Sequence, residues 1–170
     1  METKTLIPLI LRQYPLPPRG RHGVFHWARV LENGLRLAEL TGANERVVTL
    51  FALFHDSRRI NEHWDEGHGL RGGEFARSLR ASHLDLSDED FDLFYRACCL
   101  HTDGHTEGDL TLQVCWDADR LDLGRVGIRP DPEKLCTDAA RNLISWANAR
   151  AESGYEPRWV DKIWGIVGLY

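Results

Sequence analysis

No stretch of this 170-residue chain is apolar for long enough to cross a bilayer, which takes about 20 residues. Basic residues are not in excess either. The formal net charge of -5 argues against a general surface for a nucleic-acid polymer or an anionic membrane. It leaves room for a small anionic substrate in a local basic pocket. The four cysteines, Cys98, Cys99, Cys115 and Cys136, contain no CxxC pair, so neither a zinc knuckle nor a thioredoxin-type centre is supported. Cys98 and Cys99 fall in an apolar helical pattern and read as reduced core residues, with a cytoplasmic location as the expectation. Low-complexity runs and internal repeats are absent. The opening stretch METKTLIPLILRQYP has a short apolar run, but Pro8 interrupts it and no small-residue cleavage site follows. It reads as an ordered N-terminal arm, residues 1–21, rather than a signal peptide.

What is present is the length and composition of one globular domain, and periodic segments that are nearly all helical. Val47 to Phe54 has one polar residue, Thr49, and is followed at once by His55 and Asp56. A helix apolar on every side is a buried one. An imidazole and a carboxylate at its end therefore need a charge or a metal as partner. Before it, His22 to Thr41 has the spacing of an amphipathic helix stopped by Gly42, with His26 at the margin of the apolar face. Asn44 is placed to cap the buried helix. After it, Ser57 to Gly69 is polar and irregular, and a helix is expected over Leu70 to Leu79.

Ser87 with Asp90 resembles a capping box opening a helix whose stripe runs through Phe91, Phe94 and Cys98 to His101. Leu110 to Leu123 is expected to be helical, with Asp119 set in its apolar stripe. Asp131 and Pro132 look like the N-cap and first turn of a helix reaching about Arg150. The segment Trp159 to Tyr170 is apolar enough to dock on the body or to cover a partner surface. No second strand candidate exists to pair with Val47 to Phe54, so the expected fold is all-α. It is read as a single domain, with residues 22–129 as its metal-binding core and residues 130–170 as C-terminal helices.

His26, the His55–Asp56 pair and Asp119 are three separated sets of metal ligands on three helices. With the tract ADRLD, Ala118 to Asp122, they resemble the HD-domain superfamily of metal-dependent phosphohydrolases over roughly residues 22–129. The resemblance implies a compact helical bundle in which His26, His55, Asp56 and Asp119 hold one divalent ion. Mn, Fe, Co, Ni, Zn and Mg all suit these ligand types. It also implies that Asp56 bridges to a second ion where one is bound. His68 and His101 are best placed for that second ion, with His63 competing for the first of these positions and His105 for the other. Taken singly, His22, His63, His83 and His105 read as ordinary packed histidines.

Arg58, Arg59 and Arg71 lie beside the ligands in sequence and are candidate phosphate clamps. Glu62 and Asp65 are candidates for general acid or base, or for orienting ligand histidines. The expected function is hydrolysis of a phosphate ester or anhydride of a small metabolite, a nucleotide by preference, with a homodimer allowed. Two alternatives stand beside it: a di-iron oxygenase on the same frame, and a metal-stabilised binding or regulatory module.

Overall fold

A computed structural model describes residues 3–166, and the end of the apolar C-terminal segment, residues 167–170, lies outside the described residues. Eight α-helices are found among them and no strand: α1 Thr3–Leu11, α2 Val24–Thr41, α3 Glu45–Phe54, α4 His68–His83, α5 Asp88–Leu100, α6 Leu110–Arg120, α7 Asp138–Glu152 and α8 Trp159–Trp164. The all-α expectation holds. No helix among the described residues is long and apolar enough to cross a membrane.

Helix α3 is the centre of the body. Its residues Val47, Val48 and Leu50 to Phe54 are fully buried, as a run without a polar face requires. Asn44 caps it, its side-chain oxygen accepting from the backbone N–H of Arg46 and Val47. Around it stand α2, α4, α5 and α6, while α7 closes on α2 and α8 on α1. Asn33 on α2 donates to the carbonyl of Ala118, tying that helix to α6 at 3.1 Å.

Several boundaries differ from the sequence reading, each for a local reason. Helix α2 begins at Val24 rather than His22, because Gly23 is its extended N-cap and His22 sits in the preceding turn. Helix α4 starts at His68, two residues early, after the left-handed Gly67, and runs on to His83. Asp131 and Pro132 open only a 3₁₀ turn, Pro132–Lys134, and α7 is capped instead by Thr137. The hydroxyl and backbone N–H of Thr137 are themselves anchored on the buried carboxylate of Asp117 at 2.8 and 2.9 Å. The N-terminal arm is helical through Pro8, burying Leu6, Ile7 and Ile10. Ser87 caps α5 as expected, but Asp90 completes no reciprocal box: its carboxylate accepts from Asn44 at 2.8 Å.

Candidate metal centre

Five helices deliver six candidate ligand residues to one buried point. His26 comes from the first turn of α2, His55 and Asp56 follow the last residue of α3, His68 opens α4, His101 ends α5, and Asp119 lies in the last turn of α6. The imidazole Nε2 of His26 stands 3.4 Å from Asp56 Oδ2, 3.4 Å from Asp119 Oδ1 and 3.1 Å from His55 Nε2. On the other side of Asp56, Oδ1 is 3.1 Å from His68 Nε2, which is 2.9 Å from His101 Nε2. Donors bound to one ion at about 2.0–2.1 Å lie about 3.0–3.4 Å apart, so these spacings are those of coordination edges. Asp56 divides its two oxygens between the two groups. Both groups, His26–His55–Asp56 and Asp56–His68–His101, can hold a metal ion.

The orientation of the rings carries more than their proximity. Every ligand imidazole turns its Nδ1 to a partner that only accepts. These are the Asp122 carboxylate for His26 at 2.7 Å, Phe51 O for His55 at 3.1 Å, Asp65 O for His68 at 2.6 Å and Cys98 O for His101 at 2.7 Å. Each Nδ1 is therefore a protonated nitrogen, so that in the neutral ring Nε2 presents its lone pair inward. Lone pairs facing each other across about 3 Å repel unless a cation stands between them. Three of the four acceptors are backbone carbonyls three or four residues upstream. His55 and His101 sit at helix C-termini, where each ring reaches back to a carbonyl of the last turn.

Two glycines let α4 come close enough to contribute. A Cβ at Gly69 would stand 2.3 Å from the carbonyl of Cys98 and 2.9 Å from His101 Nδ1, and one at Gly72 would stand 2.4 Å from Phe54 O. Gly69→Ala is accordingly expected to push α4 off α5, separating His68 from His101 and destabilising the fold by about 1–3 kcal/mol. Metal analysis should then show the Asp56–His68–His101 half weakened and the His26 half retained. Equal loss at both halves would contradict the division.

The electrostatics follow from burial against charge. His55 is fully enclosed, and burial depresses it from 6.5 to about 3. His22 is lowered to about 4, again chiefly by burial. Burial would raise Asp56 and Asp119, but the surrounding imidazoles, His55 first, outweigh it: Asp56 falls well below the carboxylate range and Asp119 to about 2. His101 alone moves the other way: its burial lowers it, and the carboxylates of Asp56 and Asp119 more than reverse that. A histidine depressed in the folded state contributes stability that is complete above 6.5 and lost as pH falls. A depressed carboxylate contributes stability lost over a lower range, below about 4. The metal-free chain should thus lose stability steadily from pH 6.5 downward, at up to about 1.4 kcal/mol per pH unit for each such histidine. Urea midpoints across pH 4–8 test this; a midpoint that rises on acidification would contradict it.

The structure sorts the remaining sequence candidates. His63 and His105 do not compete with His68 and His101: neither joins a ligand group, and His105 lies half exposed beside Trp116. His22, read as a packed histidine, is buried but pairs with Glu62, Nδ1 to Oε2 at 2.5 Å, one turn from His26 and at the rim of the centre. Asp65 is not placed as a free acid or base. Its carboxylate accepts from Ile60 N–H and from Arg71 Nη2 at 2.7 and 2.6 Å, while its carbonyl orients His68.

Of the three arginines, Arg59 alone touches the ligands, 3.5 Å from Asp56 Oδ1 and 3.2 Å from His68 Nε2. Arg71 is held by Asp65 and two loop carbonyls, and Arg58 by the carbonyl of Gln13, so neither is free to clamp a phosphate as the sequence reading supposed. Asp119 pairs with neither Arg120 nor Arg125, and with its side chain 19% exposed it is the one ligand open to solvent.

Sequence reasoning missed Asp122. It accepts from His26 on one side and from Arg29 Nε at 2.7 Å on the other, all three buried. Its signal was in the ADRLD tract, three residues after Asp119 and just past the end of α6, where it precedes the 3₁₀ turn Leu123–Val126. No protein-family model, curated protein or solved structure matches this chain.

Proposed function

We propose that this protein is a metal-dependent phosphohydrolase of the HD-domain kind, acting on a small anionic phosphate compound, with a nucleotide as the first class to test. The observation that carries the reading is the inward convergence of four imidazole lone pairs on the divided carboxylate of Asp56. Nitrogen and carboxylate donors in this number suit borderline divalent ions. His26, His55, Asp56 and Asp119 would hold one ion, and Asp56, His68 and His101 a second. Such an ion lowers the pKa of bound water towards neutrality and polarises a phosphoryl oxygen.

The charge balance favours an anionic substrate. Asp56, Asp119, Asp122 and Glu62 face the guanidinium groups of Arg29, Arg59 and Arg125, which leaves the chain's own groups one negative charge in excess. A divalent ion turns that excess positive, and a desolvated positive centre draws an anion. At the rim, the Glu62–His22 pair is suited to accept a proton from the attacking water or return one to the leaving group. Asp122 and Arg29 hold the His26 ring in register.

The test is phosphate release by protein loaded in turn with Mn, Fe, Co, Ni, Zn or Mg. The substrates are nucleoside mono-, di- and triphosphates, cyclic dinucleotides and p-nitrophenyl phosphate. Turnover with at least one pairing is expected. Silence from folded, metallated protein across the whole matrix counts against hydrolysis. The divided Asp56 carboxylate equally suits a di-iron oxygenase, which predicts two irons per chain and dioxygen uptake in place of phosphate release.

A further inference from the structure

Residues 12–23, between α1 and α2, are fastened at both ends to the loop that follows Asp56. Arg58 donates to the carbonyl of Gln13 near one end, and His22 pairs with Glu62 at the other. The strap so formed carries Tyr14 inward. Its ring packs edge-on against Trp27, next to the ligand His26, with centroids 5.0 Å apart. Tyr14 is only 8% exposed, and its hydroxyl has no hydrogen-bond partner in the protein. Tyr14 belongs to the apolar core, and the charged groups that act on its phenol are Asp56 and Glu62, followed by Arg59, so it stands where that core borders the candidate metal centre. Burial, with those two carboxylates, also raises its pKa, so the hydroxyl stays protonated and able to donate.

Burying a hydroxyl without a partner is unfavourable, and phenylalanine would pack on Trp27 just as well. A donor kept in such a place is matched to an acceptor that arrives from outside the chain. In a centre made net positive by its ion, that acceptor is an oxyanion. We propose that Tyr14 is a substrate-binding residue whose hydroxyl donates to an oxygen of the phosphoryl group held over Asp56 and Asp119. This rests on the metal-centre reading above.

Tyr14→Phe removes the oxygen alone and keeps the ring contact, so it separates binding from folding. Three measurements compare it with the wild-type chain: manganese per chain, affinity of the manganese-loaded protein for inorganic phosphate by calorimetry, and melting of the metal-free protein. Metal content should be unchanged and the phosphate Kd raised about tenfold or more, as for loss of a hydrogen bond to a charged acceptor. The metal-free variant should melt higher by about 2–4 °C, because an unpartnered buried hydroxyl has gone.

Unchanged phosphate affinity overturns the proposal. So does loss of metal, which would make the phenol a ligand, or a lower melting temperature, which would give the hydroxyl a structural role. A wild-type chain that binds metal but no phosphate defeats this inference alone. One that binds no metal defeats the centre, and this inference with it.

Discussion

Asp56→Ala is expected to abolish metal uptake altogether, and with it any turnover. No other ligand serves both groups: Oδ2 faces His26 and His55 while Oδ1 faces His68 and, more distantly, His101. Removing it takes a donor from each half at once and leaves Arg59 without its buried carboxylate partner. His101→Ala, by contrast, should cost one half only. Elemental analysis of the two variants, each checked for helix content by circular dichroism, makes the comparison. A full complement of metal on Asp56→Ala would show that the carboxylate is not the bridge its geometry suggests. The metal-free variant also reports on folding, since loss of a buried partner from a charged pair costs about 3–5 kcal/mol. Here the carbonyls of Asn61 and His63, which also accept from Arg59, should bring the effect to the low end.

Asp122→Ala should weaken metal affinity by about 10–100-fold without removing a ligand. The carboxylate fixes His26 with its lone pair inward, and once it is gone the ring is free to turn or change tautomer. The same change isolates Arg29, which is 7% exposed and keeps only the carbonyl of Tyr155, at 3.0 Å, as a further acceptor. A destabilisation of about 3–5 kcal/mol is expected for a guanidinium stranded in the interior. Asp122→Asn separates the two effects. It keeps an acceptor for the His26 Nδ1–H but loses the charge that balances Arg29, so metal affinity should recover more than stability does. Competition against a chelator gives the first quantity and urea unfolding the second. Wild-type affinity in Asp122→Ala would remove this residue from the centre.

The helical frame was legible in the chain itself, because burial imposes a period and the period is written in side-chain polarity. Val47 to Phe54, apolar on all sides, had to be central, and His55–Asp56 at its end had to be paired. His26 at the margin of an amphipathic face and Asp119 inside an apolar stripe were odd enough to be singled out as ligands. Boundaries were less legible. Asp131–Pro132 has good capping chemistry, yet the helix starts later, because the carboxylate of Asp117 captures Thr137 from across the fold. Asp117, Asp119 and Asp122 lie within six residues and look alike in sequence. One anchors a loop, one faces the ligand cluster and one orients a histidine.

That division shows where sequence stops. Periodicity says which face of a helix turns inward, and capping preferences say roughly where it begins and ends; both are local and can be read without coordinates. The local chain also sets the rings of His55, His68 and His101, since each leans on a carbonyl three or four residues upstream. Only the packed structure decides that Asp56 shares its oxygens between two groups, that His26 is held by a carboxylate 96 residues away, and that Arg71 is bound to Asp65 while Tyr14 has no partner. These depend on how closely helices approach and on which polar atoms meet once water is excluded. Distances of that kind are fixed by the whole set of contacts and by no single segment.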